Sequence, residues 1–227
     1  QPAFIGTLTV KAVQKTVGGP AIANDPVTVE IYDQENMIKK IDAQLDETGV
    51  AKVNDIPFGG TYGQFVRINH GGVEYAAQPD VPAPKAKGME VAVTVYEATE
   101  EAVAWQLKMR HMILQPVDGG VQVTDVLAVE NPSDKAWLGR LEGDGKRTTF
   151  AVDLPAGATN VSFDGAFHDC CVKFENGKVV NSMAITPGVQ KYQIMYTLPA
   201  AKQLDVTTSA PALTKNMIVM VPDDGSA

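Results

Sequence analysis

The sequence predicts an all-β protein made of two tandem β-sandwich domains. Short apolar runs alternate with polar residues at a period of two along most of the chain, which is typical of half-buried strands. Glycine (20 residues) and proline (14 residues) fall between these runs and mark turns. No run keeps a helical period over three turns. The 227 residues suffice for two domains of about 100 residues each, and we expect them to be residues 1–98 and 99–227.

Seven strands are predicted in the first domain. Turn signals separate them, among them Asp46-Glu47-Thr48-Gly49 and the hairpin signal Asn69-His70-Gly71-Gly72, in which His70 is expected to be a plain turn residue. The alternating segments are residues 7–13, 27–32, 41–45, 50–56, 62–68, 73–76 and 90–96. Short strands with turns at regular intervals indicate a Greek-key sandwich.

Four motifs of this first half resemble the carboxypeptidase regulatory-like (transthyretin-like) domains. They read GTLTV at residues 6–10, DPVTVEI at 25–31, DETGVAKV at 46–53 and IPFGGTY at 56–62. The resemblance covers about residues 5–97 and implies an immunoglobulin-like or transthyretin-like β-sandwich. Domains of this family usually serve as non-catalytic appendages, so the resemblance implies no catalytic residue.

The second domain opens with the most regular alternation of the chain. One face of its first predicted strand carries Trp105, Leu107, Met109, His111 and Ile113. After a turn at residues 115–120, one face of the next strand carries Val121, Val123, Asp125, Leu127 and Val129. A turn centred near Asp118 would place His111 opposite Asp125 on the apolar side of both strands. Because a buried imidazole and a buried carboxylate each need a partner, we predict a structural buried pair of His111 and Asp125.

The later part of the second domain also reads as strands. They are predicted at residues 150–154, 172–174, 179–183, 192–198, 204–206 and 217–221, with Asn176-Gly177 as the strongest hairpin signal. The motifs VYEAT at 95–99, ENPS at 130–133, LPAGA at 154–158 and YTLP at 196–199, with Arg110-His111 and TPG at 186–188, are similar to uncharacterised exported bacterial β-proteins. That resemblance implies export and a β fold, and no activity.

Two patterns offer alternatives with a specific chemistry. His168, Cys170 and Cys171 combine an imidazole with two thiols, the ligand types of copper or zinc, so a metal-binding or redox-accessory protein is one alternative. Successive strand residues point to opposite faces, however, and a disulfide between neighbours is geometrically awkward. Tyr192 and Tyr196 would suit a carbohydrate-binding module if their rings were exposed, although the pattern favours a core face.

Composition and motifs favour a non-enzymatic protein outside the cytoplasm. The net charge of −8 argues against a nucleic-acid partner, and no apolar run is long enough to span a membrane. A chain that begins Gln1-Pro2 without an initial Met is what removal of a secretory leader would leave, and also what any shortened chain would show. No catalytic or cofactor motif occurs. We therefore expect a structural or protein-interaction role without a cofactor, through protein partners or self-association.

Overall fold

The computed structural model describes residues 2–80, 87–143 and 145–222, which form strands, turns and loops without a helix. The prediction of an all-β fold is confirmed. Contacts along the chain divide it into two compact units, Gln1–Ala98 (unit 1) and Thr99–Ala227 (unit 2).

Unit 1 contains the seven predicted long strands. They are β1 (Phe4–Gln14), β2 (Pro26–Asp33), β3 (Asn36–Gln44), β4 (Val50–Phe58), β5 (Tyr62–His70), β6 (Val73–Ala77) and β7 (Gly88–Val95). A three-stranded sheet has the order β4-β1-β7, and a four-stranded sheet has the order β3-β2-β5-β6. Strand β1 runs antiparallel to β4 and parallel to β7. The alternation buries alternate apolar residues in parts of β1, β2, β5 and β7, for example Val10, Val29, Ile68 and Val93.

Unit 2 has longer strands joined by several short ones, and the two-residue strand β8 lies at the boundary between the units. The strands are β8 (Ala98–Thr99), β9 (Gln106–Val117), β10 (Gly120–Asn131), β11 (Ala136–Trp137), β12 (Arg140–Leu141), β13 (Arg147–Thr148), β14 (Phe150–Asp153), β15 (Thr159–Gly165), β16 (Val172–Glu175), β17 (Lys178–Asn181), β18 (Gly188–Pro199) and β19 (Met217–Met220).

Two sheets of unit 2 enclose its core. The larger has the order β15-β18-β10-β9-β19, and the smaller has the order β14-β17-β16. Their apolar faces meet in one cluster that includes Leu127, Phe150, Val179 and Tyr192. The rings of Phe150 and Tyr192 are in edge contact, with centroids 5.1 Å apart. Unit 2 is therefore a second β-sandwich.

One predicted strand of unit 2 is wrong, and strand β15 and the two-residue strands β8, β11, β12 and β13 were missed. Residues 204–206 form no strand, although Leu204 and Val206 pack their side chains on the core of unit 2. Their alternation reflects burial of side chains without backbone pairing. Strand β15 was missed because an irregularity in its register with β18, between Thr159 and Ser162, interrupts the pattern of two.

Candidate functional site

A β-bulge at Lys108 decides which side chains of β9 enter the core of unit 2. Met109 lies opposite Ala128 of β10 but Leu107 lies opposite Val129, so Lys108 is an extra residue without a partner on β10. A one-residue bulge reverses the inward and outward faces on its two sides. Leu107 therefore points inward before the bulge, and Arg110 points inward after it.

Arg110 forms a buried ion pair with Asp125. Leu127 is the register partner of Arg110, and Asp125 lies two residues from Leu127 on the same face of β10. Side chains in such a diagonal position on two antiparallel strands can meet when one of them is long. Arg110 Nε donates to Asp125 Oδ1 at 3.0 Å, and Nη2 donates to Oδ2 at 2.5 Å. The side chains are 2 % and 0 % exposed.

The same guanidinium holds the loop that follows β18. Arg110 Nη1 donates to the carbonyl oxygen of Ser209 at 2.7 Å, and Nη2 donates to Thr208 Oγ1 at 2.8 Å. Thr208 and Ser209 also bond to the backbone of Asp153 in β14. The cluster thus fastens an irregular segment to both sheets of unit 2.

The predicted pairing of His111 with Asp125 is wrong. Asp125 is buried as expected, but its register partner on β9 is Met112, and its carboxylate is occupied by Arg110. His111 lies opposite Val126 and beside Ile218 of β19, on the other face of the sheet. Its Nε2 is buried and has no hydrogen-bond partner among the described residues. The turn at Asp118 and Gly119 places Val117 opposite Gly120, and this register puts His111 opposite Val126 instead of Asp125. The bulge at Lys108 explains why His111 does not share the inward face of Leu107.

The tyrosines that suggested carbohydrate binding belong to the core. Tyr192 is 2 % exposed and Tyr196 is 1 % exposed. Burial raises the pKa of Tyr192 to about 12. Since neither ring faces solvent, the carbohydrate hypothesis loses the residues on which it depended.

The two cysteines form a disulfide with each other in the turn between β15 and β16. The backbone N–H groups of Cys171 and Val172 both donate to the carbonyl of His168, at 2.8 and 3.1 Å. His168 and Cys170 are exposed, and Cys171 is half-buried. Sulfur atoms bonded to each other are not thiolates, so this oxidised form does not present the predicted ligand set of His168, Cys170 and Cys171.

Metal binding by these residues stays a prediction for the reduced protein. Across residues 2–80, 87–143 and 145–222, no three His, Cys, Asp or Glu side chains are grouped so that they could hold a metal ion.

Unit 1 contains a polar cluster that the sequence did not reveal. His70, the last residue of β5, lies between two carboxylates: Nδ1 is 2.6 Å from Asp25 Oδ2, and Nε2 is 3.0 Å from Glu97 Oε1. Gln14 Nε2 also donates to Glu97 Oε1, at 2.6 Å. The predicted hairpin at Gly71 and Gly72 is confirmed, but sequence spacing could not indicate partners 45 and 27 residues away.

Strand β19 forms an apolar edge of the larger sheet of unit 2. It pairs in parallel with β9 on one side only. Met217, Ile218, Val219 and Met220 are 52 %, 47 %, 48 % and 39 % exposed, and Val221 after the strand is 57 % exposed. Exposed apolar side chains in an unbroken run on an edge strand are unusual in a soluble domain.

The free backbone groups of β19 follow from its register. Arg110 N–H donates to the carbonyl of Asn216 at 2.9 Å, and Met217 is the register partner of Arg110. In a parallel ladder successive residues turn their peptide groups to opposite sides. Ile218 and Met220 therefore face β9, while Met217 and Val219 present N–H and C=O groups at the outer edge, where no strand of the described residues pairs with them.

The described part of the chain contains no helix that is long and apolar enough to cross a membrane.

Comparisons with known proteins identify no family. No family model matches the chain, so the resemblance to carboxypeptidase regulatory-like domains is not confirmed. No curated protein matches it.

Among solved structures, the chain is similar to the full-length major pilin SpaD from Corynebacterium diphtheriae, with 12 % identity and a TM-score of 0.29, over 87 % of this chain and 58 % of the pilin chain. It is also similar to the Bacillus anthracis TIE protein, with 10 % identity and a TM-score of 0.28, over 96 % of this chain and 50 % of that protein. The chain thus spans between one half and three fifths of the length of these proteins. Similarities this weak carry no argument about function.

Proposed function

We propose that this chain is a non-enzymatic protein that works outside the cytoplasm and joins a larger assembly by strand addition along β19. The observation that carries the proposal is the edge itself. Its exposed apolar side chains lie on both faces, and the outward peptide groups of Met217 and Val219 have no strand partner among the described residues. Strand addition uses such groups for affinity and uses the alternating side chains for specificity.

The other edge of the same sheet supports this assignment. Edge strands are normally blunted by charges, bulges or irregular backbone. Strand β15 has an irregular register with β18, a left-handed backbone at Asn160 and the exposed charge of Asp164. Strand β19 has no charged residue and no register irregularity in its pairing with β9. One edge is therefore protected against pairing, and the other is suited to it.

The partner that fits β19 is an extended, uncharged segment of another protein molecule, with apolar side chains on both faces. A charged strand would have to desolvate its charges against Ile218 and Val219 without gaining an ion pair. The disulfide of Cys170 and Cys171 supports an oxidising compartment, where disulfides form and persist.

The test uses the full chain and a peptide with the uncharged sequence of residues 216–222. Titration followed by amide NMR is expected to perturb β19 and to slow the hydrogen exchange of the Met217 and Val219 amides. Val219→Lys places a charge at the edge and should weaken binding at least about tenfold, or about 1.4 kcal/mol. Val219→Pro should weaken it too, because it removes only an outward N–H and leaves the pairing with β9 in place.

Leu141→Lys is the matched control, because Leu141 is 61 % exposed but lies on the short strand β12. It should bind the peptide like the unaltered chain. Equal binding by Val219→Lys, or peptide shifts that map away from β19, would refute strand addition at this edge.

A further inference from the structure

The disulfide of Cys170 and Cys171 cannot serve as a cross-link between parts of the fold. Disulfides stabilise proteins mainly by restricting the unfolded chain, and the effect grows with the length of the closed loop. The two cysteines are sequence neighbours with Cα atoms 3.8 Å apart, so the bond closes a ring around a single peptide bond. The bond links two residues that the peptide bond already links, so a cross-linking role does not explain it.

The sulfur atoms are open to reagents in solution. The disulfide lies on the wall of an open cleft of about 860 Å³, whose lining also includes Lys146, Thr148, Lys173 and Val180. Cys170 is exposed and Cys171 is half-buried. An attacking thiolate can therefore approach the disulfide through the cleft, and Cys170 is the more exposed of the two residues. Exposed disulfides are the labile class, in contrast to buried structural ones.

The backbone around the disulfide is held independently of the sulfur–sulfur bond. The carbonyl of His168 accepts the N–H groups of Cys171 and Val172. The carbonyl of Cys171 accepts the N–H and the hydroxyl of Ser182, at 2.8 and 2.9 Å. These bonds continue into the pairing of β16 with β17, where Val172 lies opposite Asn181. Opening of the ring thus leaves the turn and the small sheet in place.

We propose that Cys170 and Cys171 form a reversible thiol-exchange site whose substrate is a dithiol. One thiolate of the dithiol attacks the Cys170 sulfur, the bond between the two cysteines breaks, and Cys171 leaves as a thiolate. The second thiolate of the dithiol then attacks the other dithiol sulfur, which is bonded to Cys170 in the mixed disulfide, and releases Cys170 as a thiolate. The dithiol is oxidised to its disulfide, the cysteine pair gains two electrons, and the two protons that the dithiol released pass through water to the two cysteine sulfurs. This site lies outside β19 and is independent of the function proposed above.

The test follows reduction of the full chain by dithiothreitol, with alkylation of free thiols and mass spectrometry over time. We expect two alkyl groups per chain, and a reduction rate in native buffer within about fivefold of the rate in concentrated urea, because the sulfur needs no opening of the fold. A native rate more than about 100-fold slower would mean that reduction waits for unfolding, and would overturn the proposal. The variant with Cys170→Ser and Cys171→Ser should take up no alkyl group.

Two further measurements separate an exchange site from a structural bond. The reduced chain, the oxidised chain and the double variant should share one circular dichroism spectrum and the same unfolding midpoint. Oxidised glutathione should return the reduced chain to the monomeric, ring-closed form. Loss of the cooperative transition on reduction, or reoxidation into disulfide-linked dimers, would overturn the proposal.

Discussion

At the scale of single residues, the ion pair of Arg110 with Asp125 is a charged feature buried in the core of unit 2. Two charges in an apolar core cost several kcal/mol of desolvation each and persist only with good geometry and further hydrogen bonds. Arg110 meets this requirement, because its guanidinium contacts both carboxylate oxygens, Thr208 and Ser209. The ion pair positions the loop that follows β18, because Arg110 also binds Thr208 and Ser209.

Removal of one member of this pair should be far more harmful than removal of both. Asp125→Asn leaves the buried charge of Arg110 uncompensated and should lower the free energy of unfolding by about 3–5 kcal/mol, measured by urea denaturation. Arg110→Met combined with Asp125→Leu should cost less than Asp125→Asn alone, because neither charge then remains.

Lys108→Met is the control for this experiment. Lys108 Nζ lies 3.4 Å from Glu130 Oε1, and the Lys108 side chain is 56 % exposed. Exposed ion pairs contribute at most about 1 kcal/mol. If Asp125→Asn were as mild as Lys108→Met, the buried pair would not hold unit 2 together.

His70 is the residue whose protonation the fold controls. A neutral imidazole has one N–H donor, whereas its two nitrogens both face carboxylate oxygens, which accept only. The arrangement therefore fits the imidazolium form. Burial lowers the pKa of His70, but hydrogen bonds to Glu97 and Asp25 and the charges of both carboxylates together outweigh it and raise the pKa above 6.5.

The raised pKa predicts that unit 1 loses stability as pH rises. The contribution of His70 is fully present below its unfolded pKa of about 6.5 and is lost as pH rises through the higher folded value. Urea denaturation between pH 6 and pH 9 should show this decrease, and His70→Gln should flatten it. His168→Gln changes an exposed histidine and should keep the decrease. A wild-type profile without any decrease would show that the two carboxylates do not stabilise the imidazolium.

At the scale of elements, the hairpin of β16 and β17 shows how local sequence determines a turn. Asn176 and Gly177 both have positive φ, 51° and 76°, as a two-residue hairpin turn of the mirror-image class requires. A Cβ built on Gly177 would meet no atom within 4 Å. The requirement for glycine is therefore one of backbone conformation and not of space.

Gly177→Ala should accordingly lower the free energy of unfolding by about 1–2 kcal/mol, the cost of left-handed backbone for a residue with a Cβ. Gly143→Ala is the matched control: a Cβ there also meets nothing, and the φ of Gly143 is not positive. That change should be neutral or slightly stabilising. Thermal denaturation of both variants measures the difference, and equal effects would contradict a conformational role for Gly177.

At the scale of the whole molecule, each unit has a core of its own. In unit 1 the buried side chains include Val10, Val29 and Phe58, and in unit 2 they include Leu127 and Phe150. A separate core is the physical condition for a domain to fold alone.

We expect chains of residues 1–98 and of residues 99–227 to fold independently. Each should show a β-sheet circular dichroism spectrum and a cooperative thermal transition. A chain of residues 1–60 divides the first core and should not fold. If both halves were unfolded alone but folded when joined, the two units would form one cooperative domain.

Alternation and turn chemistry are local properties, so they were enough to predict the all-β class, the seven long strands of unit 1, and the hairpins at Gly71 and Asn176. Tertiary structure alone decided the partner of Asp125, the two carboxylates around His70 and the exposure of β19. The extra residue at Lys108 reverses the inward face of β9, and no local sequence pattern indicates this bulge. The partners of His70 lie far from it along the chain. Whether an apolar strand is covered depends on which strands come to lie beside it, and for β19 only β9 does among the described residues.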